Sequence, residues 1–257
     1  MKQAFWWSIP IVGLCALVAL YFWRLQNSEP PKPQTVATPA QPAEPTVRYP
    51  VEIDEPSRHL LPELADSDGA ITDGLWALFG QSPPKFIFLN KIVHRVVATV
   101  DNLPRDYVAP QLMPVKTPTG LPVTDNVGGS LVLSPRNASR YQTYVRMADS
   151  VQTDALVALY SRFYPLFQEQ YENLGYPGKH FNDRLVEVID HLLATPEVGE
   201  PLPITQSKVL YEFADPKLES LSAGQKLLLR VGKANRDKLK SKLQKLRQAV
   251  TSMAIKE

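Results

Sequence analysis

Cysteine is almost absent from this chain: one residue, Cys15, occurs among 257. The residues after position 15 therefore form no disulfide with one another and supply no thiolate for catalysis or for a zinc site. The sequence also contains no GxSxG, no P-loop, no GxGxxG and no HExxH. These absences exclude thiol catalysis by the body of the chain and leave the common hydrolase, nucleotide-binding and zinc-peptidase classes without support.

Charge is absent from residues 5–23, FWWSIPIVGLCALVALYFW. At about 1.5 Å per helical residue this stretch spans roughly 28 Å, the hydrocarbon thickness of a bilayer. Trp6 and Trp7 lie at one end and Tyr21 and Trp23 at the other, as two membrane interfaces favour. The pattern predicts a transmembrane anchor over 5–23 after a short tail, 1–4. A cleaved signal peptide is the alternative, and the missing small-x-small cleavage site argues against it.

The flanking charges leave the orientation nearly balanced, because Lys2 precedes the span and Arg24 and Lys32 follow it. The linker and the cysteine-free remainder fit a bacterial periplasm better than a cytosol. We therefore predict a single-pass inner-membrane protein with its C-terminal domain in the periplasm. The bilayer is the expected partner of residues 5–23, and nucleic acid is not an expected partner.

Proline marks the next region. Eight of the residues 28–58 are Pro, and most of the others are small or charged. Such a segment buries too little apolar surface to offset its ordering entropy. We predict a disordered, extended linker over 24–58 and a folded domain over 59–257.

The domain is predicted to be mainly α-helical. Apolar residues recur at helical spacing, and the capping and breaking residues delimit helices at 70–80, 85–100, 141–149, 153–174, 181–193, 220–231 and 235–250. Pro165 is expected to kink the fourth of these. Strand signals are few: residues 111–134 predict a small β-hairpin or an irregular β excursion, and residues 208–213 could pair with it or be simply extended.

The strongest candidate site lies on the helix over 180–191. At 100° per residue, its polar face holds two imidazoles and two carboxylates on successive turns, with a third carboxylate at the edge. Glu187 and His191, four residues apart, could share a divalent ion. The catalytic candidates are Asp183, Glu187, Asp190 and His191, and the metal-ligating candidates are His180, Asp183, Glu187 and His191. The alternative is a solvated helix face on which Asn182 or Asp183 caps the N-terminus, and no cofactor is predicted.

A basic amphipathic helix ends the chain. Residues 226–257 hold ten Lys or Arg and two acids, and Leu239, Leu243, Leu246, Val250 and Met253 repeat at heptad-like spacing. This helix could lie on anionic lipid, bind an acidic partner or nucleic acid, or pack on the acidic body of its own domain. The candidate binding residues are Lys233, Arg236, Lys238, Lys240, Lys242, Lys245 and Arg247.

Aromatic residues share one wide face of the helix predicted over 153–174. They are Tyr160, Phe163, Tyr164, Phe167 and Tyr171. They could form a stacking platform for a sugar or a peptide, or they could be core packing.

Four long stretches of the sequence are similar to a known family. They are VATVDNLPR (97–105), YVRMADSVQTDALVALYSRFYPLFQEQYENLG (144–175), YPGKHFNDRLVEVIDHLLATPEV (176–198) and KVLYEFADPKLESLSAGQKLLLRVG (208–232). Together they resemble the bacterial domain of unknown function family 3014 (DUF3014). The resemblance implies a single-pass envelope protein of proteobacteria and brings no activity and no catalytic residue. Polar positions within these stretches are the first to inspect: Asp101, Asn182, Asp183, Arg184, Glu187, Asp190, His191, Glu212, Asp215, Gln225 and Lys226.

Anchor, linker and domain together predict a membrane-anchored cell-envelope protein. Its domain is expected to be a non-enzymatic binding or scaffold module that contacts another envelope protein or a cell-wall component. The final helix could add a contact with anionic lipid. The alternative is a metal-dependent or carboxylate-dependent hydrolase centred on residues 180–191.

Overall fold

The described part of the molecule comprises residues 47–51, 60–80, 83–206 and 210–253 of a computed structural model. The predicted tail 1–4 and anchor 5–23 lie outside these residues, as does most of the linker predicted over 24–58. Within the described residues, no helix is both long enough and apolar enough to cross a membrane.

Helices dominate the described residues, and the predicted mainly α class is confirmed. The eight α-helices are α1 (Asp68–Phe79), α2 (Ile92–Asn102), α3 (Gln142–Ser150), α4 (Thr153–Asn173), α5 (Phe181–Leu193), α6 (Pro216–Glu219), α7 (Ala223–Arg230) and α8 (Lys233–Ser252). Short 3-10 turns lie at Leu64–Asp66, Pro110–Leu112 and Pro135–Tyr141. Helix α4 continues through Pro165.

The start of α2 corrects the helix predicted over 85–100. Residues 85–91 precede the helix, and Ile87 forms an isolated antiparallel bridge with Val115. Lys91 has a left-handed backbone, φ 51°, which ends any helix that approaches from the N-terminal side. The carboxylate of Asp68 accepts hydrogen bonds from the backbone N–H groups of Lys91 and Ile92, at 2.6 and 2.9 Å. Helix α1 therefore supplies the cap that fixes where α2 begins.

The helix predicted over 220–231 is a single helix that begins three residues later, at Ala223, and a separate short helix, α6, precedes the predicted range. Asp215 caps α6: its side chain accepts a hydrogen bond from the Lys217 N–H at 2.9 Å, and Pro216 occupies the first helical position. Ser222 then caps α7 through the Gln225 N–H at 3.3 Å. The predicted separation between the helices over 220–231 and 235–250 is confirmed, since Gly232, with a φ of 84°, separates α7 from α8.

A small antiparallel sheet accompanies the helices, with strand order β1 (Thr124–Val127), β2 (Ser130–Leu133), β3 (Leu202–Thr205) and β4 (Glu212–Phe213). Strands β1 and β2 form the predicted hairpin, and their turn uses the positive φ angles of Gly128 and Gly129. Strand β4 pairs with β3 rather than with the hairpin. The sequence reading missed β3, because Pro203 lies at its centre and such a residue weakens the strand signal.

The aromatic face of α4 is core. Phe163, Tyr164, Phe167 and Tyr171 are buried, and Tyr160 packs beside them. The rings of Phe167 and Phe181 stack at 5.9 Å, which joins α4 to α5. The stacking-platform interpretation is therefore wrong for these side chains.

Helix α8 packs against α5 with its apolar stripe. Leu239 and Leu243 contact the buried cluster of Val188, Leu192 and Leu228. Val250, at the far end of the same stripe, is fully buried. The heptad-like pattern thus serves packing within the domain.

Candidate functional site

Asp183, the first carboxylate of the predicted site, lies in the first turn of α5 and binds main chain from a distant segment. Its two carboxylate oxygens accept hydrogen bonds from the N–H groups of Arg48 and Tyr49, at 3.1 and 2.8 Å. The neighbouring Asn182 side chain donates to the Tyr49 carbonyl at 3.0 Å. Residues 47–51, which the sequence placed in the linker, thus lie against the N-terminal end of α5.

The other candidates on α5 each bind a different partner. Glu187 pairs with Arg184 at 3.1 Å, Asp190 pairs with Arg247 of α8, and the His191 Nε2 lies 2.8 Å from the Ser222 hydroxyl. His180 is the residue before the helix and provides no side-chain cap. The polar side chains of α5 thus bind separate partners and do not converge on one point.

No metal site is formed by the described residues: they contain no group of three or more His, Cys, Asp or Glu that could hold an ion. The metal-ligating candidates His180, Asp183, Glu187 and His191 are therefore not brought together. The physical reason is that nearby backbone and cationic groups already bind the two carboxylates, and a hydroxyl binds His191.

The contact between His191 and Ser222 has the distance of a nucleophile and its general base. Ser222 is buried, however, and its oxygen also accepts the Gln225 N–H. The N–H groups of Ala223 and Gly224, which follow Ser222 and could bind an oxyanion, donate instead to the carbonyls of Arg105 and Leu103, at 2.7 and 2.9 Å. This arrangement docks the start of α7 onto the chain after α2, so Ser222 acts as a helix cap.

A buried carboxylate, Asp101 of α2, connects two of the sequence stretches, 97–105 and 176–198. Its oxygens bind the Arg184 Nε at 3.1 Å, the Arg105 Nη2 at 2.7 Å and the Tyr176 hydroxyl at 3.1 Å. Arg184 also donates to the Asp101 backbone carbonyl at 2.9 Å. We call Asp101, Arg105, Tyr176 and Arg184 the Asp101 cluster. It fixes the C-terminal end of α2 against α5 and the turn before it.

Electrostatics favour the charged form of Arg184 in this cluster. Burial opposes the Arg184 charge, but the hydrogen bond that Arg184 donates to Glu187 and the negative charges of Glu187 and Asp101 outweigh it, so the pKa of Arg184 is raised. Burial likewise raises the pKa of the adjacent Tyr171 to about 12. Both groups keep their ordinary charge states across the physiological range.

The cations of α8 are largely engaged within the domain. Lys233 pairs with Asp237, Lys240 with Glu197 and Arg247 with Asp190, and the Lys242 Nζ donates to the Val151 carbonyl. Lys238 and Lys245 are exposed and have no partner among the described residues. Most of the basic face predicted to bind a partner is thus used to attach α8 to the rest of the domain.

Arg236 corrects the predicted binding surface most strongly, because its side chain is 0% exposed. Its Nη2 lies 3.3 Å from the Glu197 carboxylate, which is 59% exposed and is shared with Lys240. Among the described residues, its Nε and Nη1 have no hydrogen-bond partner. The hydrogen bond and charge of Lys240, aided by the charge of Arg236, lower the pKa of Glu197. We call Arg236, Lys240 and Glu197 the Arg236 cluster.

Sequence reasoning named Asp101 and Arg184 only as positions to inspect, and it missed Tyr49, Tyr176 and Ser222. Asp101 and Arg105 are four residues apart, a spacing that permits an ion pair on a helix. Nothing in the spacing indicates that Arg184 joins them, because 83 residues separate it from Asp101. Tyr49 carried no signal, since it stands in a Pro-rich stretch.

Comparison with known proteins adds one match. The model of a family described as "Protein of unknown function (DUF3014)" matches residues 92–247, more than half of the chain. The matched range begins at the first residue of α2 and ends within α8, so it contains both clusters. No curated protein and no solved structure matches the chain.

Proposed function

The chain belongs to the DUF3014 family, and we propose that it is a single-pass inner-membrane protein of the bacterial envelope. Its helical domain would be a non-enzymatic binding or scaffold module for another envelope protein or a cell-wall component. Residues 5–23 would span the bilayer, and the Pro-rich residues after them would carry the domain into the periplasm.

One observation carries the non-enzymatic part of the proposal: the polar side chains of α5 bind other segments of the same domain. Asp183 holds residues 47–51, Asp190 holds α8, and His191 holds the cap of α7. A catalytic site needs side chains that converge on one reacting atom. The polar side chains of α5 bind different segments and hold them in place, as expected for a rigid binding domain.

The membrane part of the proposal rests on the sequence. The apolar run of residues 5–23 has bilayer length and aromatic residues at both ends. The exposed apolar side chains of the domain, among them Trp76, Tyr107 and Leu121, offer places where a partner could be contacted. Nucleic acid is not a partner that a periplasmic domain would meet.

Two experiments test the proposal in cells. A reporter that is active only outside the cytoplasm, fused after Glu257, is expected to be active, whereas a cytoplasmic reporter at the same place should be silent. Photo-crosslinking residues placed singly at Trp76, Tyr107 and Leu121 are then expected to capture one recurrent envelope component from at least one position. The buried Val97 provides a matched position that should capture nothing.

The reverse reporter pattern would contradict the periplasmic location. Captured material that is the same from the buried and the exposed positions would contradict a specific binding surface. Turnover of a cell-wall or ester substrate that is lost in His191→Ala, with folding intact, would favour the hydrolase alternative instead.

A further inference from the structure

Residues 47–51, Val-Arg-Tyr-Pro-Val, lie on the domain as a peptide lies on a receptor. Asp183 accepts both N–H groups of Arg48 and Tyr49, and Asn182 donates to the Tyr49 carbonyl. These three bonds go to main chain, which a peptide of any sequence presents. The backbone bends at Arg48 and Tyr49, and Pro50, which follows the bend, has no N–H group to satisfy.

Two side chains of the segment add selectivity. The hydrogen bond to Asp190 and its charge, with a smaller contribution from Tyr49, raise the pKa of Arg247 of α8. Val51 packs against the buried cluster formed by α1, α2, α4 and α5. An aromatic side chain and an aliphatic side chain, separated by proline, therefore face two different surroundings.

The receptor groups are oriented by the domain itself. The Asn182 side chain is fully buried, its oxygen accepts the Tyr160 hydroxyl at 3.1 Å, and its nitrogen also donates to the Val250 carbonyl at 3.3 Å. Helices α4 and α8 thus hold the amide in place from two sides. A binding group fixed by its own contacts needs little further ordering when a ligand arrives.

We infer that Asn182, Asp183 and Arg247, with the apolar cluster beside them, form a binding site for a bent peptide segment of the order aromatic, proline, aliphatic. Residues 47–51 fill this site in cis. The bound segment joins the N-terminal part of the chain to the domain at the first turn of α5.

One consequence rests on the proposed membrane anchor. Release of the segment would free residues 47–51 from the first turn of α5. At about 3.3 Å per residue, those five residues would lengthen the reach of the tether by at most roughly 16 Å. The maximum distance between membrane and domain would then differ between the state with the segment bound and the state with it released.

The direct test uses the full chain in detergent and a labelled peptide, PTVRYPVEI, that copies residues 45–53. The double variant Tyr49→Ala, Val51→Asp empties the site, and it is expected to bind the peptide at least tenfold more tightly than the unmodified chain, whose site is filled in cis. Adding Asp183→Ala to the emptied chain should abolish binding. Adding Glu187→Ala, which removes an exposed carboxylate of the same helix, should leave binding unchanged. Equal binding by the emptied and unmodified chains, or binding that survives Asp183→Ala, would overturn the inference.

A second measurement does not depend on the emptied variant. In the otherwise unmodified chain, Asp183→Ala is expected to speed hydrogen exchange of the Arg48 and Tyr49 amides at least tenfold, and Glu187→Ala is not. Unchanged exchange would refute occupancy of the site. Dimers of the unmodified chain that disappear with Asp183→Ala would mean that the segment docks onto a second copy, which overturns the cis assignment. Neither readout depends on the location of the protein, so failure here is separable from failure of the proposed function.

Discussion

The Asp101 and Arg236 clusters have the same chemistry and opposite burial. In the Asp101 cluster the carboxylate is the inner group: the Asp101 side chain is 5% exposed, and cations and a hydroxyl surround it. In the Arg236 cluster the guanidinium is the inner group, 0% exposed, and its carboxylate partner is 59% exposed. One cluster has a buried anion with several donors, and the other has a buried cation with a single shared acceptor.

The difference lies in how well each buried charge is compensated. Desolvation of an ion costs several kcal/mol, and only close partners with complete hydrogen bonding offset it. Asp101 has three donors to its carboxylate, whereas Arg236 has one long contact to a carboxylate that also serves Lys240. We expect the Asp101 cluster to stabilise the fold and the Arg236 cluster to contribute little.

The largest effect is expected at the buried anion. Asp101→Ala removes the buried counter-charge of Arg184 and leaves the Tyr176 hydroxyl without its acceptor. We expect the free energy of unfolding to fall by about 3–5 kcal/mol, as when one partner of a buried ion pair is removed. Chemical denaturation would measure it. Asp106→Ala, which removes an exposed carboxylate nearby, should change stability by less than about 0.5 kcal/mol. A loss below about 1 kcal/mol for Asp101→Ala would show that the two clusters do not differ.

The buried cation should respond with the opposite sign. Arg236→Met removes a charged group with two unpartnered nitrogens, keeps an unbranched apolar side chain in place of the arginine stem, and leaves Glu197 exposed and paired with Lys240. We expect stability to stay equal or to rise by about 1–3 kcal/mol. The same substitution at Arg184 provides the matched control. It should be destabilising, because it removes one of the two cations that pair with the buried Asp101. A loss of more than about 2 kcal/mol for Arg236→Met would mean that the buried guanidinium is well compensated.

Much of the helical framework could be predicted from the sequence, because apolar spacing and capping residues act locally. The bounds of α5 agree with the predicted 181–193, and α4 and α8 agree with their predictions to within two residues at each end. The predictions failed where a distant residue decides the local structure. Asp68 determines where α2 begins, and β2 and β4 give a partner on each side to the proline-containing β3.

The candidate site shows the same limit. Helical periodicity predicted that His180, Asp183, Glu187 and His191 share one polar face, but His180 precedes the helix, and the pattern could not show what the other three side chains meet. Residues 47–51, Ser222 and Arg247 come from other parts of the chain and bind those side chains separately. For α8, the basic pattern predicted an exposed surface, and nothing in the pattern distinguishes the buried Arg236 from the exposed Lys238.

The smallest effect is expected at the exposed partner in the Arg236 cluster, where pH gives the readout. The pKa of Glu197 is lowered below the ordinary 4.5 in the folded chain, chiefly by its hydrogen bond to Lys240. Because the pKa of this carboxyl is lower in the folded chain, the unfolded chain binds more protons as the pH falls. The contribution of Glu197 to stability is therefore present above about pH 4.5 and is lost as pH falls through the folded pKa. Glu197→Gln should therefore lower the thermal midpoint near neutral pH, and the gap from the unmodified chain should narrow below about pH 4.5. Glu169→Gln removes a carboxylate of α4 that pairs with neither Lys240 nor Arg236, and it should produce no such narrowing. A gap that stays constant down to about pH 3 would show that Glu197 contributes through its shape rather than its charge, and that the Arg236 cluster is held without an ion pair.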